Sequence, residues 1–403
     1  MPKPPRIALL IECSRSYGRN LLAGIAAYAH VFGPWTFYHE ERALGDPMPA
    51  KLTNWRPQGV IARLENKTLA RQIRRLKLPT VGVLHEKAVS NIPSIIPDPE
   101  ATVRLAIEHL IERGLKHFAY CGFHGVKFSD DRYRLFVEGI AALGYPVDVF
   151  KYRHSPRAKS LAEVERDAMR HAGELAAWLR KLPKPVGLMA CNDMRAYQVL
   201  SVCGEHKILV PDEVAVIGVD NDFVQCELCD PPLSSVDNNA YEVGYEAAAL
   251  LHRMLRRRGS VPRMTFIQPT GVIARRSTDV LAIADPQLVE IVRYVREQAC
   301  EGLTAEKLVR HTALSRSTLE RWFTKQLGRS VNEEIHRVRL NHVKDLLITS
   351  DLSLGEIARR SGFAYAETMQ RLFKAVVGET PGHYRDHRRR ADSVSPGVLP
   401  HRL

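Results

Sequence analysis

The chain has 403 residues, which is too many for one hydrophobic core, so two or three domains are expected. A formal net charge of +13, with Lys and Arg densest toward the C-terminus, favours a polyanionic partner. No apolar run is long enough to span a bilayer, and no secretory signal is recognised at the start. With seven scattered cysteines, a reducing cytoplasm is the expected location. Cys226 and Cys229 form an isolated CxxC without a second pair, so no metal is expected.

The first part of the chain alternates short apolar strands with amphipathic helices, as expected for a parallel sheet covered by helices. The first group of predicted elements comprises strands Arg6–Ile11, Trp35–His39, Gly59–Ala62 and Thr80–Leu84, a polar loop Cys13–Tyr17, and helices Arg19–His30 and Leu69–Leu76.

The pattern then restarts with helix Glu100–Arg113, which Asp98 is expected to cap. The second group comprises strands His117–Cys121, Val147–Tyr152, Val186–Cys191 and Val214–Val219, and helices Arg132–Leu143, Leu161–Leu182 and Met194–Glu205. Two consecutive α/β halves predict two lobes with a cleft between them.

Polar residues follow the predicted strands, where ligands bind in such sheets. The candidates for a binding site are Ser16, Tyr17, Arg132, Asn192, Asp220 and Asp222. Carboxylates, an amide, a guanidinium and a ring suit a polyhydroxyl ligand, because each hydroxyl both donates and accepts. Other interpretations remain open: Arg132 as a surface cation, Asn192 as a helix cap and Asp220 as a turn residue.

Residues Arg6 to Thr278 resemble the ligand-binding core of LacI/GalR-type regulators and periplasmic sugar-binding proteins. The matching segments are Ser94–Ile96, Arg104–Gly114, Arg132 with Phe136, Ala190–Asp193, Val216–Asn221 and Pro232–Val236. In that family the Arg, the Asn and the Asp at these positions hold sugar hydroxyls. The resemblance therefore implies those roles for Arg132, Asn192 and Asp220.

The C-terminal part contains two similar helix-turn-helix patterns about fifty residues apart, which indicates a duplicated unit. The first pairs Ala305–His311 with Ser315–Leu327, and the second pairs Leu354–Arg360 with Ala364–Val377, the helix Val331–Thr349 lying between them. In the second helix of each pair, Leu319 with Phe323 and Met369 with Phe373 have i, i+4 spacing and should be buried.

The opposite face of these helices is polar, as required in the major groove of DNA, where Arg reads guanine, Gln adenine and Glu cytosine. The candidates for DNA contact are Ser317, Glu320, Arg321, Lys325, Glu367, Thr368, Gln370, Arg371 and Lys374. Arg321 and Arg371 are expected to read bases, whereas Lys325 and Lys374 are expected to contact phosphate.

The run Gly362-Phe363, Leu372-Phe373-Lys374, Gly378, Thr380-Pro381 and Tyr384-Arg385 resembles the signature of AraC/XylS-type DNA-binding domains. The resemblance covers about the last quarter of the chain. It implies two recognition helices in successive major grooves, about 34 Å apart.

The expected fold is therefore an α/β two-lobed periplasmic-binding-protein-like domain (type I) followed by an all-α domain with two helix-turn-helix units. The predicted boundaries are 1–279 for the sugar and dimerisation domain, 280–286 for a linker, 287–386 for the DNA-binding domain and 387–403 for a basic disordered tail.

This order of domains resembles the family of xylose-responsive operon regulators, as does the segment Arg275–Asp279. The resemblance implies a cytoplasmic, dimeric regulator, an activator that works with RNA polymerase at a double-stranded DNA operator. It needs no cofactor, and D-xylose or a related small sugar is its effector.

Two other classes remain open. A sugar-metabolising enzyme with a basic helical appendage would need a catalytic group or phosphate loop, and none stands out; a turnover assay with pentoses discriminates it. A sugar-binding transport protein would not need the terminal repeat.

Overall fold

The computed structural model describes residues 3–42, 46–64, 67–83, 92–151, 160–256, 261–280 and 286–385. The chain divides into two compact units, Met1–Ala282 and Ile283–Leu403, each with its own core. The division falls within the predicted linker, of which residues 281–285 lie outside the described part, as does the predicted basic tail. No described helix is long and apolar enough to cross a membrane.

The first unit contains two six-stranded sheets with helices on their faces. The strands are β1 (Arg6–Leu10), β2 (Thr36–Tyr38), β3 (Gly59–Ala62), β4 (Thr80–Gly82), β5 (Ser94–Pro97), β6 (His117–Cys121), β7 (Val147–Val149), β8 (Val186–Ala190), β9 (Val214–Val219), β10 (Ser234–Asp237), β11 (Met264–Ile267) and β12 (Gly271–Ile273). The helices are α1 (Ser16–Phe32), α2 (Leu52–Trp55), α3 (Lys67–Arg75), α4 (Pro99–Ile111), α5 (Lys127–Ala142), α6 (Leu161–Met169), α7 (Ala172–Lys181), α8 (Asp193–Glu205), α9 (Phe223–Leu228) and α10 (Ala240–Leu255).

Each sheet forms one lobe around an apolar core. The first has the order β11-β5-β4-β3-β1-β2 and the second β12-β10-β9-β8-β6-β7, with every pair parallel except β10 and β12. Continuous runs of buried residues such as Val214–Val219 are the pattern expected of strands that are covered on both faces. Helices α1 and α10 cover one face of the first sheet, and α3 covers the other.

The two lobes are not consecutive halves of the chain, as the sequence pattern predicted. After β10 the chain returns to the first lobe to form α10 and β11, and it then enters the second lobe again with β12. The lobes are therefore joined at three crossings, which follow β5, β10 and β11. Side chains tie these crossings together, since Gln268 Nε2 donates to Asp98 Oδ2 at 2.9 Å and Asn239 Nδ2 donates to Gln268 O at 3.2 Å.

Three local predictions are wrong. Helix α1 begins at Ser16, so Ser16 and Tyr17 lie in its first turn and not in a loop. Helix α5 begins at Lys127, so Arg132 lies in its second turn instead of opening it. The turn-forming residues that precede Arg132 lie within α5. There the side chains of Ser129 and Asp130 accept hydrogen bonds from the backbone amides of Phe123 and Gly125 in the loop before the helix.

The third wrong prediction is the single helix over Leu161–Leu182, which is divided into α6 and α7. The amide of Arg170 bonds to Asp167 O at 3.0 Å in a tightened last turn, and the chain changes direction there. Asp98 caps α4 as expected, accepting from the amides of Glu100 and Ala101.

The second unit consists of helices, which are α11 (Pro286–Gln298), α12 (Ala305–Thr312), α13 (Arg316–Leu327), α14 (Val331–Thr349), α15 (Leu354–Arg360) and α16 (Ala366–Val377). Ser315 caps α13 and Ser330 caps α14 with a complete capping box. The predicted bounds of α14 and α15 are confirmed to the residue.

Candidate functional site: an effector cleft and a DNA-reading surface

The cleft candidates follow the carboxyl ends of β1, β6, β8 and β9, where the two lobes meet. The amide of Ser16 in the first lobe donates to Asp222 Oδ2 in the second at 3.1 Å. Arg15 forms an ion pair with Glu165 of α6 across the same gap. These contacts bring the lobes together around the predicted residues.

Asp220 is the central carboxylate of the cleft. Its Oδ1 accepts a hydrogen bond from Asn238 Nδ2 at 2.7 Å and lies 3.7 Å from Arg132 Nη2. Burial raises the pKa of Asp220, while the positive charges of Arg132 and Arg63 oppose that rise. Arg132 also donates to the carbonyl of Cys191, which orients its guanidinium in the cleft. A carboxylate beside guanidinium groups in this setting can bind a hydroxyl-rich ligand.

Two predicted residues cap helices, which was the alternative interpretation for one of them. Asn192 Oδ1 accepts from the amide of Arg195 at 2.9 Å and so caps α8. Asp222 Oδ1 accepts from the amide of Gln225 at 3.4 Å at the start of α9. Each of these two side chains has a second polar atom. In Asp222 it is Oδ2, which accepts the hydrogen bond from the backbone amide of Ser16.

Ser16 and Tyr17 provide the first-lobe side of the cleft. Within the described residues, Ser16 Oγ is buried without a hydrogen-bond partner. A buried hydroxyl in that state is costly unless something binds it, so it is available to a ligand. Tyr17 is 8% exposed, its hydroxyl donates to Val83 O at 3.4 Å, and burial raises its pKa.

Glu12 and Arg63 are cleft residues that the sequence analysis missed. Glu12 is fully buried and ion-paired with Arg63, whose guanidinium lies over the ring of Tyr17 at 5.2 Å. Glu12 Oε2 is buried with no hydrogen-bond partner among the described residues. Gly18 makes room for Glu12, since a Cβ there would lie 1.9 Å from the backbone oxygen of Glu12 and 2.8 Å from its carboxylate Oε1. Both charges directly follow strand-like runs, so the rule that selected Asp220 would have found them.

Asp193 is also buried in this region, but its contacts are structural. Its carboxylate accepts from Ser235 Oγ at 2.6 Å and from the amide of Asp222 at 2.7 Å. Burial and the nearby charge of Asp220 raise its pKa well above the ordinary value. Cys226 and Cys229 are free thiols, and Cys226 Sγ donates to Asp193 at 3.6 Å.

In the second unit, α13 and α16 each bury one face and expose the other. Leu319, Phe323, Met369 and Phe373 are at most 1% exposed, as the i, i+4 spacing predicts. The DNA candidates lie on the accessible faces: Ser317, Arg321, Lys325, Glu367, Thr368, Arg371 and Lys374 are exposed, and Glu320 and Gln370 are partly so. Two of these have hydrogen-bond partners: Glu320 Oε2 accepts from the amide of Val331 at 3.3 Å, and Ser317 Oγ lies 2.9 Å from Ser315 Oγ.

Helix α14 holds the two helix-turn-helix units together. Arg339 donates to Ala299 O at 2.9 Å and to Leu303 O at 2.8 Å, just before α12, and its guanidinium lies over the ring of Phe363, between α15 and α16, at 5.6 Å. Gly362 has a φ of +75°, and a Cβ there would lie 2.8 Å from Ala299 O. Only glycine fits so close to Ala299 with that backbone.

Comparisons with known proteins identify the same two kinds of domain. Residues 6–95 match the family model of the XylR N-terminal domain, 107–278 match a periplasmic binding protein-like domain, and 308–387 match a helix-turn-helix domain. The xylose operon regulatory protein of Escherichia coli K12 is 32% identical over 395 residues, covering 95% of this chain and 97% of that protein. The chain belongs to the family of xylose operon regulators.

Other members of the family support the assignment of this regulator. The xylose operon regulatory protein of Haemophilus influenzae is 29% identical over 94% of this chain and 98% of its own. The solved structure of the xylose-binding transcription activator xylR has a TM-score of 0.70 and 30% identity, covering 95% of this chain and 98% of that one. A LacI-type regulator of Alkaliphilus metalliredigens, 21% identical over 68% of this chain with a TM-score of 0.54, shows the fold of the first domain.

The predicted fold is thereby confirmed as a two-lobed periplasmic-binding-protein-like domain followed by a helix-turn-helix domain. The relatives are named as transcription regulators, so this regulator controls transcription and is not an enzyme.

Proposed function

We propose that the cleft of this cytoplasmic regulator binds D-xylose or a closely related small sugar, and that the bound sugar controls operator binding by the second unit. The observation that carries the proposal is the set of buried polar atoms facing the cleft, above all Ser16 Oγ and Glu12 Oε2 beside Asp220 and Arg132. Asn192, Asp222 and Tyr17 complete the lining. Members of the family are named for xylose.

The proposal predicts that D-xylose raises the melting temperature of the first unit more than L-arabinose, D-ribose or D-glucose does. A ligand at a hundred times its Kd stabilises the state that binds it by about 2.7 kcal/mol. A thermal-shift panel of the four sugars, read with the full-length protein, measures this. A larger shift with another sugar would replace xylose as the effector, and no shift with any sugar would contradict a sugar cleft.

For the second unit, we propose that α13 and α16 read an operator and that Arg321 and Arg371 contact bases. Their exposed guanidinium groups lie on the faces opposite the buried Phe323 and Phe373, as a groove-reading helix requires. Lys325 and Lys374 contribute phosphate contacts one turn further along. The operator is the duplex that the protein enriches from a random pool.

Arg371→Ala should cost about 1–3 kcal/mol of discrimination at one base pair of that operator, while Lys374→Ala should weaken binding to all duplexes similarly. Arg371 is exposed, so the substitution should leave the fold intact and isolate base reading. Binding to the operator and to single-base variants, measured at several salt concentrations, separates the two effects. Unchanged sequence preference in Arg371→Ala would remove this helix from base reading.

We also propose that the regulator is a homodimer that activates pentose-catabolic genes together with RNA polymerase. Helix α9 supports a dimer contact through the first unit, because Val224 and Leu228 have i, i+4 spacing and are 53% and 69% exposed. Operators of dimeric regulators have repeated half-sites, which the sequence of the selected duplex would show, and a run-off transcription assay on that duplex measures activation.

Leu228→Asp is therefore expected to shift the protein from dimer toward monomer without altering its fold. Burying a carboxylate in an apolar contact is costly, whereas the same change on a free surface is nearly neutral. Sedimentation velocity over a range of concentrations measures the shift, with Leu143→Asp as the control, since Leu143 is 52% exposed on the same lobe. Equal behaviour of the two variants would place the dimer contact elsewhere.

A further inference from the structure

The segment by which the chain leaves the first unit, residues 275–278, is fixed to the second lobe. Ser277 and Thr278 are fully buried. Ser277 Oγ donates to Val216 O at 2.6 Å and accepts from the amide of Ser234 at 2.8 Å. Thr278 Oγ1 lies 2.7 Å from Ser234 Oγ and 2.8 Å from His109 Nε2. The segment that leads toward the linker therefore moves only when this lobe moves it.

Arg275 begins this exit segment and extends back toward the cleft. Its Nη1 and Nη2 both donate to Asn221 Oδ1 at 3.1 Å, and Nη1 also donates to Leu233 O at 3.0 Å. Its Nε donates to Glu227 Oε1 at 2.7 Å. The Arg275 side chain is 9% exposed, so these contacts replace water as its partners. Arg275 thus binds the residue that directly follows Asp220.

The Asp220-Asn221 pair has an unusual backbone. Asp220 has a φ of +107° and Asn221 a φ of +49°, a region that residues other than glycine seldom adopt. Such conformations persist where surrounding contacts hold them. Here Asn238 donates to the carboxylate of Asp220, and Arg275 donates to the side-chain oxygen of Asn221. A ligand that binds Asp220 therefore contacts a residue whose neighbour, Asn221, is hydrogen-bonded to Arg275 of the exit segment.

We infer that Arg275 is the positioning residue that links the effector cleft to the DNA-binding unit, through Asn221. The inference rests on the proposed effector function of Asp220. Arg275 touches neither ligand nor DNA in this scheme. Its role is to make the position of the exit segment depend on the backbone at Asp220. The sugar-free and sugar-bound states then differ both at Asp220 and at the exit segment.

The test measures the coupling ratio, which is the operator Kd without sugar divided by the operator Kd at saturating D-xylose. Saturation removes any effect of a changed sugar affinity. Asn221→Gly removes the amide that Arg275 binds and tolerates the positive φ. We expect its ratio to fall to within about twofold of 1, from a parent value in the usual range of about 5–150. Glu227→Gln, which alters only the exposed partner of Arg275, should keep the parent ratio.

A double-mutant cycle of Asn221→Gly and Arg275→Lys then tests whether the two act as a pair. We expect the double variant to have the same coupling ratio as either single variant. A parent-like ratio in Asn221→Gly, or losses that multiply in the double variant, would overturn the role of Arg275. If D-xylose does not change the operator affinity of the parent protein, that result would instead overturn the proposed effector, and the coupling with it.

Discussion

Glu334→Gln is expected to destabilise the DNA-binding unit by about 3–5 kcal/mol, because removing one member of a buried ionic cluster leaves the others uncompensated. Glu334 is fully buried in α14. It accepts from Arg329 Nε at 2.6 Å and from Arg337 Nη2 at 2.7 Å, and lies 3.9 Å from Arg296 Nε of α11. The carboxylate therefore joins α11, the turn before α14 and α14 itself.

Urea and thermal unfolding of the full-length variant measure this effect, with Glu333→Gln as the control. Glu333 is the exposed neighbour, and glutamine preserves its bond to the amide of Ser330. The Glu334→Gln transition should move to lower temperature while the first unit melts as before. If both variants unfold like the parent, the cluster does not hold the unit together.

The cluster around Glu334 also determines how the stability of the DNA-binding unit changes with pH. Burial alone would raise the pKa of Glu334, but hydrogen bonds and charges from Arg337, Arg329 and Arg296 lower it overall. A carboxyl whose folded-state pKa lies below its unfolded value stabilises the fold above the unfolded pKa, and that stabilisation is lost as the pH falls through the folded value. Operator binding should fail in acid together with this unit.

Asp220→Asn is expected to weaken sugar binding roughly 10- to 150-fold, since a hydrogen bond to a charged group contributes about 1.5–3 kcal/mol. Asparagine has nearly the same shape and tolerates the positive φ of this position, so the substitution changes charge more than structure. Titration calorimetry with D-xylose measures the loss. Asp148→Asn, an exposed change on β7 of the same lobe, is the matched control and should bind like the parent.

The pH dependence of sugar affinity provides a second test of the role of Asp220. Because burial raises its pKa, with Arg132 and Arg63 opposing that rise, the carboxylate form is lost at a higher pH than in an ordinary aspartate. Sugar affinity should therefore fall on acidification in the parent and stay flatter in Asp220→Asn. A parallel fall in both proteins would assign the titration to another group.

Local patterns predicted the helices of the DNA-binding unit well. Strong caps at Ser315 and Ser330 and the i, i+4 pair Met369 and Phe373 leave little choice of boundary or buried face. In these elements the deciding interactions lie within one or two helical turns of sequence.

The cleft was predicted less completely, because its geometry depends on residues far apart in sequence. Glu12 directly follows a strand, but its ion pair with Arg63, 51 residues later, and the bond of Ser16 to Asp222, 206 residues later, depend on the fold. The return of α10 and β11 to the first lobe leaves no local signal, since a strand has the same apolar pattern in either sheet. Pairing between distant strands decides such assignments.

The three crossings also limit how this regulator can be rebuilt. A single exchange between two related genes swaps everything on one side of a breakpoint, so it can transfer the DNA-binding unit whole but never one lobe alone. New effector preferences in such proteins should therefore arise by point substitutions along the cleft, whereas new operator preferences can be acquired in one recombination event.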